Sequence, residues 1–141
     1  MISYKILTEK QTIIMCFDGK ITPEIVISYI DELVKNPEYD PEHKSLVDLR
    51  NCDLTYDVEG MKRTLAHMLT AKGFAGKRKT AYITSNSAHV VPPMMMSSGA
   101  YNFPMEIKVL STVASAIDWL EIEDFTEEDY KRILGTICDC H

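Results

Sequence analysis

The run Ser45-Leu46-Val47-Asp48-Leu49-Arg50 constrains this chain more than any other stretch. It is short, apolar and lacks an exposed face, as strands of a parallel sheet covered on both sides do. A polar bend, Asn51 to Asp57, follows it. Before and after it, runs of strand period alternate with runs of helical period, and that alternation predicts helices packed on a mainly parallel sheet.

Taken in order, Tyr4 to Leu7 and Thr12 to Phe17 are β-branched or aromatic runs split by Thr8-Glu9-Lys10-Gln11, which predicts an antiparallel opening hairpin. Asp18-Gly19-Lys20 is expected to turn the chain out of the second strand. Thr22-Pro23-Glu24 then places a hydroxyl cap, a proline and an acid where a helix start favours each. Ile25, Val26, Tyr29, Ile30, Leu33 and Val34 give that helix one apolar face, and Asn36-Pro37 ends it. A second helix is expected from about Asp57 to Lys72, closed by Gly73, with Val58, Met61, Leu65, Met68 and Leu69 inward and His67 facing solvent. Lys79 to Thr84 is the next strand. Pro92-Pro93 interrupts a third helical stretch, read as Ser87 to Val91 and Met94 to Ser98.

Met105 to Leu110 is a further strand, and Ser111-Thr112 caps a helix whose Val113, Ala116, Ile117 and Leu120 share a face. A terminal helix begins at Thr126-Glu127-Glu128-Asp129 and carries Tyr130, Ile133, Leu134 and Ile137 on one side. That face should pack back on the sheet layer, because water contact would forfeit roughly 25 cal/mol per Å² of apolar area. The reading is one α/β domain over residues 1–141: a mixed, mostly parallel sheet of about five strands with Ser45–Leu49 central. Residues 123–141 form a carboxy-terminal helical extension.

The element order, the Leu46-Val47-Asp48-Leu49-Arg50 strand, Gly19 and Thr22-Pro23 before the first helix, and Ala116-Ile117-Asp118-Trp119-Leu120 carry a resemblance. Over roughly residues 4 to 122 the chain resembles the STAS-like superfamily, and within it the SpoIIAA-like branch related to anti-sigma-factor antagonists and near CRAL-TRIO lipid-binding domains. The resemblance implies a regulatory or binding module. Phosphorylatable antagonists of that kind carry Asp-Ser-Ser-Gly shortly after this strand. Here the comparable stretch is Asp57-Val58-Glu59-Gly60, without a hydroxyl at either middle position, so the resemblance does not extend to that switch.

A formal net charge of −6 lacks the footprint of a nucleic-acid binder, and no run approaches the roughly 18 apolar residues of a membrane span. The amino terminus has no signal-peptide layout, so a cytoplasmic protein is expected, with its four cysteines reduced. Asp48 and Arg50, two apart on a strand, point to one face at its carboxyl end, where open α/β sheets bind ligands. The commoner meaning of such a pair is an acid that satisfies nearby N–H groups and is neutralised by its arginine. Ser85-Asn86-Ser87 and Ser111-Thr112 precede helices on the same edge and either cap them or hold an anion. Gly73 to Thr80 has glycine spacing too short for a phosphate loop and leads into a strand instead of a helix.

Cys138, Cys140 and His141 supply too few ligands for a closed zinc site and read as a frayed tail. No catalytic constellation, cofactor-binding pattern or metal set assembles from spacing. A non-enzymatic module is therefore expected, acting through a protein partner or a small ligand across Asp48, Arg50, Asn51, Asp57, Ser85, Asn86, Met94, Met95 and Tyr101. Met94-Met95-Met96 with Tyr101 and Phe103 is adaptable apolar surface. It suggests a homodimer centred near Met94 to Tyr101 or, alternatively, a lid over a small apolar or lipid-like cargo.

Overall fold

The computed structural model describes residues 1–54, 56–86, 89 and 103–138. Strands β1 (Ile2–Leu7) and β2 (Thr12–Ile21) are antiparallel and joined by a 3-10 turn over Thr8–Lys10. β3 (Lys44–Leu54), β4 (Lys79–Ile83) and β5 (Glu106–Leu110) continue the sheet in parallel, in the order β1-β2-β3-β4-β5. β3 is the central strand, as its unbroken apolar run predicts.

Helices α1 (Pro23–Leu33) and α2 (Val58–Thr70) cover one face. Thr22 caps α1 by accepting from the Ile25 N–H at 3.3 Å, and the face begun by Pro23 buries Val26, Tyr29, Ile30 and Leu33 against Ile13, Met15, Phe17, Val47 and Leu49. Each such side chain contributes about 1.5–3 kcal/mol by leaving water. The opposite face, made by Ile14, Leu46, Ala81 and Ile83, is covered by α3 (Val113–Leu120) and α4 (Glu127–Ile137). Thr126 and Asp129 cap α4 reciprocally, and Tyr130 is its fully buried anchor. The terminal helix thus packs back on the sheet, with Ile133, Leu134 and Ile137 partly buried beside it.

The structure departs from the sequence reading in four places. β2 does not turn out at Asp18 and β3 does not bend away at Asn51; the two run on side by side, Asp18 level with Asn51 and Ile21 level with Leu54. A register shift between Cys16 and Asp18, with Gly19 at φ 74°, accommodates the extension, and Ile21 is buried at its end. In α2 Leu65 is buried as expected and Met61 and Met68 pack partly buried on the same core, but Gly60 and Thr64 are buried with them while Val58 is 63 % exposed. A Cβ at Gly60 would meet Pro23 Cγ at 2.8 Å, so α2 meets α1 at that turn; Val58 shares the side of Leu65 but, as the first residue of α2, lies before that contact and is left outside. His67 is not simply solvent-facing: its Nε2 lies 2.7 Å from Asp31 Oδ1 on α1. Cys138 is no frayed tail; it is 2 % exposed. The third helical stretch lies outside the described residues apart from His89, which is buried with Nδ1 2.9 Å from Thr84 Oγ1.

The connection from α2 to β4 packs against the loop that precedes β3. At Gly76 a Cβ would sit 2.4 Å from the Pro41 carbonyl oxygen and 2.8 Å from its carbon. Backbone cannot yield as a flexible side chain can. Gly76→Ala is therefore expected to destabilise the protein by about 2–3 kcal/mol, as overpacking does. Urea midpoints would measure it, and a change below about 0.5 kcal/mol would show that the two loops separate freely.

Candidate functional site

Leu46, Asp48 and Arg50 alternate onto the face covered by α4. The Asp48 carboxylate, 3 % exposed, sits beneath that helix. Its Oδ1 accepts from the Arg50 backbone N–H and from Arg50 Nε, both at 3.0 Å. Its Oδ2 accepts from Arg50 Nη2 and from the Tyr130 hydroxyl, both at 2.7 Å. Burial, helped by the neighbouring Asp48 charge, pushes the Tyr130 phenol far above its ordinary value, so it stays a donor. A buried acid is tolerated when its lone pairs are filled in this way. Arg50 is held by two parallel bonds with its side chain 36 % exposed, which fixes a guanidinium at the protein surface.

Two sulfur atoms lie beside this network, Cys16 being the sheet neighbour of Asp48. Cys16 Sγ on β2 lies 2.7 Å from Cys138 Sγ at the end of α4. Burial first, and then the Asp48 charge, push the Cys16 thiol up to about 11, and the same two causes push Cys52 up to about 12. Neither thiol is ionised near neutral pH, so neither is a ready nucleophile.

The remaining sequence candidates fall around the same edge. In the parallel register Asp48 is level with Ile83, the last residue of β4, and Ser85 follows two residues beyond that strand end. Ser85, Asn86, Arg50 and Asn51 are all exposed there. Asp57 caps α2, its Oδ1 accepting from the Gly60 N–H at 2.6 Å. Thr112 likewise caps α3, accepting from the Ser115 N–H at 3.1 Å. Met94, Met95 and Tyr101, and with them the suggested dimer surface and lid, lie outside the described residues. Both helical connections flanking β3 lie on one face, so β3 is not at a point where successive connections part to opposite faces and open a crevice.

Sequence reasoning did not join Tyr130, Cys16 and Cys138 to Asp48. Tyr130 stood in the apolar face of the terminal helix, and nothing local marks a phenol as the partner of an acid 82 residues away. Arg78 was also missed. Within Lys77-Arg78-Lys79 it reads as a solvated turn, yet it is 7 % exposed, its Nη1 donating to the Tyr39 hydroxyl at 2.7 Å and to the Pro41 and Phe74 carbonyls at 3.1 and 3.3 Å.

No family model and no curated protein matches the chain. Among solved structures it is similar to an uncharacterised DUF3478-family protein with a SpoIIAA-like fold from Shewanella loihica PV-4, at a TM-score of 0.56 and 18 % identity, covering 84 % of this chain and 93 % of that one. The fold is SpoIIAA-like. The likeness speaks to the fold alone. Asp57 to Gly60 form the cap and first turn of α2, with Val58 and Glu59 exposed. No helix among the described residues is long and apolar enough to cross a membrane.

Proposed function

We propose that the chain is a non-enzymatic regulatory or binding module acting through a protein partner, with the carboxyl edge of β3 and β4 and the first turn of α2 as its contact surface. The observation that carries this reading is the Asp48–Tyr130 lock on Arg50, which presents a pre-oriented guanidinium at that edge beside exposed Asn51, Ser85 and Asn86. A side chain already held in place loses little freedom on binding, which is how pre-organisation raises affinity. Val58, 63 % exposed at the neighbouring helix start, adds an apolar contact. The absence of a hydroxyl at positions 58 and 59 makes the contact constitutive in this reading, without a phosphorylation switch of the antagonist type.

A carrier of a small apolar or lipid-like molecule is the competing reading. Among the described residues, the apolar cavities beneath α1 and α2, of about 30 and 40 Å³, fall far short of the roughly 300 Å³ or more of ordinary ligand pockets. Cross-linked pull-downs from the source cells, with wild type beside an Arg50→Glu, Val58→Asp variant, separate the two. A stoichiometric partner retained by wild type and lost by the variant is expected. Native mass spectra showing a co-purified apolar molecule and no partner would replace the module with the carrier.

A further inference from the structure

Between the sheet and α1 lies a small, partly open cavity of about 30 Å³, whose lining among the described residues includes Tyr29, Ser45, Arg78, Thr80, Val47 and Met105. Three of these side chains carry a buried polar atom with no hydrogen-bond partner: Tyr29 Oη, Ser45 Oγ and Arg78 Nε. The three residues are 7 %, 1 % and 7 % exposed. Buried polar atoms are almost always satisfied, and three orphans on one cavity call for a common partner. Arg Nε–H can only donate, and serine and tyrosine hydroxyls are free to donate. The missing partner must therefore be an acceptor.

Charge narrows the choice further. Among the described residues the Arg78 guanidinium touches neutral groups: the Tyr39 hydroxyl, two backbone carbonyls, and the rings of Tyr39 and Phe74 at 5.9 and 5.0 Å. Among the described residues no carboxylate forms an ion pair with it. A buried cation without a counter-charge is costly, and carbonyls and ring faces offset only part of that cost. The cavity has room for one ion or two to three waters, since a water needs about 10–15 Å³.

We propose that this cavity is a binding site for a monatomic anion of chloride size, held by Arg78 Nε, Ser45 Oγ and Tyr29 Oη. The ion neutralises the guanidinium and ties the loop before β4 to α1 and β3.

Thermal melts at constant ionic strength test the site, with sodium chloride or bromide set against sodium gluconate, whose anion is too large to enter. The expected result is a saturable rise in Tm of about 4 °C with either halide, the size a tenfold excess over the dissociation constant gives a domain of this length. Gluconate should produce none, and a folded Tyr29→Phe, Ser45→Ala variant should lose the halide effect. Crystals grown in bromide should show an anomalous peak within hydrogen-bond distance of Arg78 Nε, a readout independent of the variants. Equal melting in all three salts, or a cavity filled by water without an anomalous peak, would overturn the proposal.

Discussion

Above about pH 9 the protein is expected to lose stability steeply and to unfold before about pH 12. The cause is a set of acids that the fold keeps protonated. Burial is the largest reason in every case: it pushes Cys16 from 9.0 to about 11, Cys52 from 9.0 to about 12 and Tyr82 from 10.0 to about 12. Tyr29, Tyr39, Tyr56 and Tyr130 are moved in the same direction by the same cause. A raised pKa in the folded state means that the native protein keeps protons the unfolded chain has released. The stabilisation is therefore fully present below the unfolded values of 9.0 for cysteine and 10.0 for tyrosine, and is lost as pH climbs through the folded ones. For Tyr82 alone the gap between 10.0 and about 12 corresponds to roughly 3 kcal/mol. Cys16 contributes a similar gap and Cys52 a wider one, so together they approach the roughly 5–15 kcal/mol of a typical domain. Urea midpoints should fall from about pH 9 upward. Tyrosinate absorbance should rise together with the loss of far-ultraviolet circular dichroism. A smooth phenol titration centred near pH 10 with the dichroism unchanged would show that these rings are not sealed in the core.

These rings also mark how far the sequence could be read. The strand at Ser45–Leu49 and the apolar face of α1 were legible because their periodicity is local and nearly every residue agrees with it. The extensions of β2 and β3 were not. Asp18-Gly19-Lys20 and Asn51-Cys52-Asp53 look like turns one at a time, and become strand only because each supplies the other's hydrogen bonds across the sheet. Val58 misled for a related reason: it has the angle of a core residue, but Gly60 against Pro23 decides where α2 meets α1. At the candidate site, the same-face placement of Asp48 and Arg50 followed from period two. Their phenol partner on α4, and the Cys16 to Cys138 contact spanning 122 positions, depend on how the last helix returns to the sheet, which no local pattern encodes. Arg78 shows the same limit from the other side, since its lysine neighbours advertise a solvated turn while Gly76 lets the loop close on Pro41 and draws it inward.

Asp48→Ala is expected to cost about 2–4 kcal/mol and to loosen α4 from the sheet. The substitution removes the acceptor of the Tyr130 hydroxyl, on a side chain 0 % exposed, and leaves that donor orphaned in the core. Arg50 suffers less, because its side chain is 36 % exposed and can turn to water. Tyr130→Phe alone should cost only about 1–1.5 kcal/mol, since Asp48 keeps its bonds from Arg50 while losing one donor. In the Asp48→Ala background the same Tyr130→Phe change should be neutral or stabilising, because it then deletes an unsatisfied hydroxyl and nothing else. The cycle should thus show a coupling of about 1–3 kcal/mol between residues 82 positions apart. Urea unfolding near pH 7 gives the four stabilities, and amide exchange over Glu127–Ile137 reports whether α4 opens before the rest of the domain. If the two substitutions add to within about 0.3 kcal/mol, the hydroxyl and the carboxylate do not depend on each other. The terminal helix would then be held by its apolar face alone, and Arg50 would owe none of its orientation to it.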